Sequence, residues 1–352
     1  MVPERLYLDH AATTPIQAAA RHAWVEASLG WANPSSPHAE GRRARAAVEE
    51  ARARVAAAMG WKGTVIFTSG ASEAIQIALT RANADRVWVS DVEHDSVLRL
   101  VPDAGRIAVD GQGRAAALPE PGQGALVAIQ HANSETGVVQ PLDEIAARVR
   151  EAGGILFADC AQTAGKLPLP DADLIAIGAH KFGGPPGIGA LLVRDPALLK
   201  PSGGQERGYR PGTENLPAIM AMATALEAGN DWLEHAAQLR AELDMAIVQA
   251  GGVVIAADAP RMATIASYAM PGVPARAQLI RFDMSGIAVS AGSACSSGTM
   301  KGSHVLEAMR LPAEIADSAV RVSFGRDTDR AAIDRFVAVW RAIATDAKGR
   351  GA

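Results

Sequence analysis

Residues 154–193 read GILFADCAQTAGKLPLPDADLIAIGAHKFGGPPGIGALLV, and this stretch decides the fold. Three short apolar runs, ILFA, LIAI and GALLV, are bounded by Gly, Pro and Asp and show no polar alternation. Runs of this kind are strands buried on both faces, as in a parallel sheet covered by helices. Two of them end in reactive side chains: Asp159 and Gln162 follow the first, His180 and Lys181 the second. Ligands of open α/β sheets gather at the carboxyl ends of strands, so the search for chemistry begins there.

Outward from this core, TVIF, RVWVS and ALVAIQ read as further buried strands. SEAIQIALTRA and PLDEIAARVREAG repeat apolar residues at three and four, the mark of helices packed on a sheet. The earlier HAEGRRARAAVEEARARVAAAMG is an amphipathic helix ended by Gly60, with a solvated outer side. After a long helical region over roughly 214–250 the pattern changes to GGVVIAA, ATIASYAM, GIAVSAG and AVRVSFG. The helices HVLEAMR and DRAAIDRFVAVWRAIATDA separate these strands, which predicts a second, smaller α+β domain. With 352 residues two cores are expected, a large domain over 13–233 and a small one from 1–12 and 234–352.

Composition excludes several classes. Apolar residues make up 49% and charged ones 20%, as in a globular protein, and the net charge of -4 offers no field for nucleic acid or an anionic membrane. Neither a signal-peptide core nor a membrane-length apolar run is present, so a cytoplasmic location is expected. Cys160 and Cys295 are the two cysteines, too few for a disulfide-stapled scaffold. Neither has a CxxC or HxxC partner, so no metal site is predicted.

Read singly, the candidate residues are ambiguous. Lys181 is either a surface lysine at a strand end or a Schiff-base amine, which would need an apolar or cationic setting to lower its pKa. Asp159 is either a helix N-cap or the carboxylate that keeps a pyridine nitrogen protonated. Together on neighbouring strands the two point to pyridoxal phosphate chemistry. Gly70, Ala71 and Ser72 open a helix, either a plain cap or a phosphate seat, and no GxxxxGK[ST] motif suggests a nucleotide loop. His94 follows a strand, where it is either structural or placed to stack on a planar ring. Cys295 lies in SAGSACSSGT, residues 290–299, a stretch too small and polar to bury it as a core hydrophobe.

In order along the chain, LDHAATTP, NPSSPHAEGRRAR, TSGASEA, VEHDSV, NSETGVVQP, DCAQTAGK, AHKFGGPPGIGAL, GGQERGYRPGTEN, GSACSSG and RVSFGR resemble the cysteine desulfurases. These belong to the class V aminotransferase group of fold type I pyridoxal phosphate enzymes. The resemblance implies a large domain with a mostly parallel seven-stranded sheet plus a smaller α+β domain. It implies that Lys181 bonds the cofactor aldehyde, Asp159 pairs with its ring nitrogen, Gln162 and Asn133 serve the ring, and His94 stacks on it. Ala71, Ser72 and His180 would hold the phosphate, with Thr213 reaching it from the partner subunit of a homodimer. Arg321 would grip the substrate carboxylate, assisted by Asn33. Cys295 would take sulfur from L-cysteine as a persulfide, releasing L-alanine, and pass it to an acceptor protein such as an iron–sulfur scaffold. A Gly/Ser loop suits a thiol that must travel.

Two positions depart from the family pattern. Ser134 stands where a second Asn is usual, and Gly178 where a Ser often adds a phosphate contact. Each removes about one hydrogen bond, roughly 0.5–1.5 kcal/mol net, which the remaining donors can tolerate. The longer carboxyl tail that some members use for docking a scaffold is expected to be short. Three neighbouring activities share most of the pattern: selenocysteine cleavage, class V transamination, and a low-turnover role in sulfur relay. Transamination needs no mobile thiol, so Cys295 argues against it.

Overall fold

The computed structural model describes residues 5–115, 118, 122–292 and 302–350. Strand β1 (Leu6–Tyr7) leads into helices α1 (Ala18–Leu29) and α2 (Ala39–Ala58). There follow β2 (Thr64–Thr68), α3 (Ala71–Arg81), β3 (Arg86–Ser90), the one-turn α4 (Asp95–Leu98) and β4 (Gly105–Ile107). Next come β5 (Ala125–Gln130), α5 (Leu142–Glu151), β6 (Ile155–Asp159), β7 (Leu174–Gly178) and β8 (Gly189–Val193). The strands β2 to β8 form one sheet in the order β2-β8-β7-β6-β5-β3-β4. Strand β8 runs antiparallel to both neighbours, and the other pairings are parallel, so the mostly parallel seven-stranded sheet is present.

Successive strand residues point to opposite faces, and here both faces are dry. Val65, Ile175, Ile177 and Leu192 pack on one side with Val48, Val55 and Ile219 from the helices. Ile66, Leu174, Ala176 and Leu191 pack on the other with Ile75 and Ala78 of α3. Helix α2 buries Ala44, Val48, Ala51 and Val55 at helical spacing and leaves its arginine-rich side largely to water, as its sequence predicts.

The chain continues through α6 (Leu216–Glu227), α7 (Leu233–Gln249), β9 (Val253–Val254), β10 (Ile265–Ala269) and α8 (Ala275–Met284). It ends with β11 (Ile287–Ala288), α9 (His304–Ala308), α10 (Ala313–Ala316), β12 (Ala319–Ser323) and α11 (Arg330–Arg350). Strands β12, β10 and β9 make an antiparallel sheet packed on an aromatic core of Tyr268, Phe282, Phe336 and Trp340. The rings of Phe282 and Phe336 stack at 4.9 Å. Leu8 is fully buried in this same core, and β1 pairs in parallel with β11, so the amino-terminal segment is built into the second layer.

Some expectations need correction. The helical region over 214–250 is two helices, broken where Gly229 takes φ +73°. GGVVIAA supplies only the short β9, because Ala256 at φ +54° turns the chain off the ladder. GIAVSAG supplies only β11. Among the described residues no helix is long and apolar enough to cross a membrane.

Candidate active site

A cavity of about 510 Å3 opens at the carboxyl ends of β3, β5, β6 and β7, where the amino terminus of α3 also points. Asp159, the last residue of β6, is buried, and its Oδ1 accepts the N–H of Ala161 at 2.9 Å. That is the local turn bond expected of an acid at a strand end, and it leaves the carboxylate facing the cavity wall. Gln162, one turn on, donates Nε2 to the Ala11 carbonyl at 2.8 Å, while its buried Oε1 has no partner among the described residues.

Lys181 follows β7 in a single turn of 3-10 helix and lines the cavity. The segment after β1 braces this turn: Thr14 N–H donates to the His180 carbonyl at 2.8 Å and Gln17 Nε2 to the Phe182 carbonyl at 2.8 Å. His94 lines the cavity at the start of α4. Its Nδ1 lies 2.7 Å from Ser96 Oγ and accepts the Ser96 N–H at 3.1 Å, so the neutral ring carries its proton on Nε2. Burial lowers the His94 pKa, Asp159 opposes the shift, and Lys181 adds to it, which places all three groups in one electrostatic neighbourhood.

Helix α3 is capped by Gly70 at φ +154°, a conformation open to glycine, and no side chain caps it. Its first N–H groups therefore open onto the cavity. Gly189 permits this closeness, since a Cβ there would lie 2.7 Å from the Gly70 carbonyl carbon. Ala71, Ser72 and His180 all line this end. His180 Nδ1 is 3.2 Å from Thr13 Oγ1, and burial, then Lys181 and Lys166, lowers its pKa to about 4. A Cβ at Gly178 would stand 3.3 Å from both Cβ and N of Ala71, so glycine at this position keeps the helix mouth clear.

On the opposite wall Arg321, from the middle of β12, is buried and reaches the cavity. Its Nη1 donates to the Ser134 carbonyl at 2.9 Å and its Nη2 to Asp9 Oδ1 at 2.8 Å. Asn133 lines the cavity, but its Oδ1 is taken by the N–H groups of Glu135 and Thr136, each at 2.9 Å, and its Nδ2 by the Val92 carbonyl at 3.2 Å. The structure thus has Asn133 shape its own turn and tie it to Val92 at the cavity wall. Asn33 is exposed and outside the cavity lining, with Oδ1 accepting the Ser35 N–H at 2.9 Å. Thr213 is also exposed and outside it. Cys295 lies outside the described residues, although Gly292 and His304, on either side of it in sequence, both line the cavity. Cys160 is a packing residue, its thiol pushed well up by burial.

Sequence reasoning missed several cavity groups. Glu93 is fully buried, accepts the Gln130 N–H at 2.8 Å, and has its carboxyl pushed well above the usual range by burial. Glu135 accepts the Ser303 hydroxyl at 2.6 Å, and His304 Nε2 lies 2.9 Å from the Glu93 carbonyl oxygen. Lys166, outside the cavity lining, is buried behind Gln162, with Nζ donating to the Gln162 carbonyl at 3.2 Å, and burial followed by Lys181 lowers its pKa to about 7. The signal was present: Glu93 touches His94 in DVEHDSV, and Lys166 lies in the same DCAQTAGK as Asp159.

Residues 6–336 match the family described as Aminotransferase class-V. This chain belongs to the class-V aminotransferase family. Within that family it is 36% identical over 371 aligned positions to the IscS-like cysteine desulfurase of Mycobacterium tuberculosis, covering 95% of this chain and 94% of that protein. The NifS-like protein of Rickettsia africae superposes with a TM-score of 0.88 at 27% identity, over 97% of this chain and 99% of the other. SspA in complex with cysteine superposes with a TM-score of 0.78 at 26% identity, over 91% of this chain and 98% of that one. The family span 6–336 of this class-V aminotransferase-family chain includes both Lys181 and Arg321.

Proposed function

We propose that this chain is a pyridoxal phosphate-dependent cysteine desulfurase, which converts L-cysteine to L-alanine and keeps the sulfur on Cys295 as a persulfide. One observation carries the reading: Asp159, Gln162, His94, Lys181 and the uncapped start of α3 converge on a single cavity, facing Arg321. The desulfurase relatives and the cysteine-bound neighbour support it. The residues fit the cofactor. Buried Gln162 Oε1 lacks a partner among the described residues, the first turn of α3 offers open N–H groups, and Lys181 and His180 line the same cavity. Ala71, Ser72 and His180 would hold the phosphate, Asp159 the ring nitrogen, Gln162 the ring hydroxyl, and Lys181 the aldehyde carbon.

When bound, the cofactor supplies an electron sink for bond breaking at the substrate's α and β carbons. The chain's own groups do the rest. Arg321 orients the substrate through its carboxylate. His94, with Nδ1 committed to Ser96, presents Nε2 as the ring atom that gives and retakes a proton. The Cys295 thiol takes the substrate sulfur: one thiol and one cysteine become one persulfide and one alanine, so no outside oxidant or reductant enters. Activity then depends on its thiolate form.

The same reading includes a homodimer, supported by the exposure of Thr213 away from its own cavity, and delivery of sulfur to an acceptor protein such as an iron–sulfur scaffold. It also includes the division into 13–233 and 1–12 plus 234–352, supported by Leu8 packing in the second core. A cytoplasmic setting, which keeps Cys295 reduced, completes it. Borohydride reduction of the cofactor-loaded protein, then peptide mass mapping, tests the cofactor site. A cofactor adduct on Lys181 is expected; an adduct elsewhere, or none, would overturn the proposal.

A further inference from the structure

Arg321 is buried, yet its guanidinium is only partly used. Of the five N–H donors of a guanidinium, Asp9 takes one at Nη2 and the Ser134 carbonyl takes one at Nη1. The Nε donor is buried without a partner among the described residues. Unmet buried donors are costly, and because Arg321 also lines the cavity a further anion there can meet them. Asp9 does not line the cavity, yet it holds Arg321 Nη2, so it contacts the guanidinium from outside the lining.

Asp9 is itself firmly placed. Its carbonyl accepts the Ala12 N–H at 3.1 Å and the Tyr7 hydroxyl at 3.1 Å, and it forms a parallel bridge to Ser323 beside Arg321 on β12. The backbone of Arg321 is fixed as well, exchanging hydrogen bonds with Ser290 at 2.7 and 3.2 Å. Glu135, a second carboxylate in electrostatic contact with Arg321, accepts the Ser303 hydroxyl.

We infer that Asp9 is a positioning residue, which holds one edge of the Arg321 guanidinium so that the remaining N–H groups meet the carboxylate of an amino-acid substrate. The inference rests on the assignment of Arg321 to the substrate carboxylate. Asp9 does not touch the reacting atoms. Its contribution belongs to substrate binding and should be confined to ligands that carry a carboxylate.

The test uses cofactor-loaded protein, with binding of L-alanine followed by calorimetry, alongside KM and kcat for L-cysteine. Asp9→Ala should weaken alanine binding and raise KM by about tenfold, with kcat changed less than about twofold. Cysteamine, which lacks the carboxylate, should compete equally well against the parent and the variant. Asp9→Asn, which retains an acceptor oxygen, should recover most of the loss. Should Asp9→Ala fail to fold, Asp9→Glu carries the test, because a longer arm displaces the guanidinium and should weaken alanine binding. Unchanged alanine binding in both the Ala and Glu variants, an equal loss for cysteamine, or no rescue by Asn would overturn the inference. A parent protein that neither binds alanine nor consumes cysteine would instead remove the functional reading beneath it.

Discussion

Two buried arginines serve different ends. Arg52, on the inner side of α2, donates from Nη1 to the Val65 carbonyl and to Glu206, from Nη2 to Glu206 and Glu49, and from Nε to Glu49. Every donor of its guanidinium is met by protein, and Glu206 in turn accepts the Phe67 N–H at 2.8 Å, so the network ties α2 and the 205–208 turn to β2. Arg321 lines the cavity with two donors met and, among the described residues, an orphaned Nε. Burial alone does not separate an architectural arginine from one that reads a ligand. What separates this pair is that Arg321 both keeps an unmet donor among the described residues and lines the cavity, which Arg52 does not; Arg261 keeps unmet buried donors too, away from that cavity.

Changes in the two regions should therefore fail differently. Arg52→Ala leaves Glu206 buried without its cation and should cost about 3–5 kcal/mol of stability in urea unfolding, while folded protein retains the parent KM. A loss below about 1 kcal/mol would mean that the Arg52 network is dispensable. Arg321→Lys replaces a planar fork with a point charge and should raise KM for L-cysteine by about 10–100-fold with an unchanged unfolding midpoint. An altered midpoint with the parent KM would reverse the assigned roles.

Mild acid should also act on the cavity side. His180 and His10 both have pKa values lowered to about 4, chiefly by burial. Between the unfolded value of about 6.5 and the folded value, the unfolded chain binds more protons. Stability contributed by these neutral rings is thus full above pH ~6.5 and lost as pH falls toward 4. Urea midpoints measured across that window should decline, and His180→Gln should flatten the slope; an unchanged slope in both His180→Gln and His10→Gln would contradict this origin. The smallest effect is expected for Gly178→Ser. Its hydroxyl adds a donor at the phosphate end, but its Cβ meets Ala71 at 3.3 Å. Pyridoxal phosphate affinity by equilibrium dialysis should change less than about threefold. A much larger gain would show that glycine leaves the cradle incomplete.

The sheet was legible because strands buried on both faces write unbroken apolar runs, and because Asp159 and Lys181 follow two such runs directly. The far wall was not. Asp9 and Arg321 stand 312 residues apart, and no local periodicity announces that they touch. Arg321 could be nominated only through the resemblance carried by RVSFGR, and Asp9 not at all. Strand β4, three residues of GRI on the sheet edge, is too short for its alternation to register. The break after α6 was overlooked because apolar residues resume in phase beyond Gly229, although that glycine is itself a helix stop. Asn133 shows a different limit: it lines the cavity, while its Oδ1 is spent on its own turn and one Nδ2 N–H on Val92, bonds that no local pattern announces.

The central claim is that one cysteine yields one alanine while its sulfur moves to Cys295. The direct measurement is a single turnover of cofactor-loaded protein with less than one equivalent of L-cysteine, quenched by alkylation, with alanine quantified and every peptide weighed. The account predicts alanine equal to the cysteine consumed and one extra sulfur atom on the peptide containing Cys295. Alanine formed with the parent yield in Cys295→Ala, or no alanine from the parent protein, would contradict it.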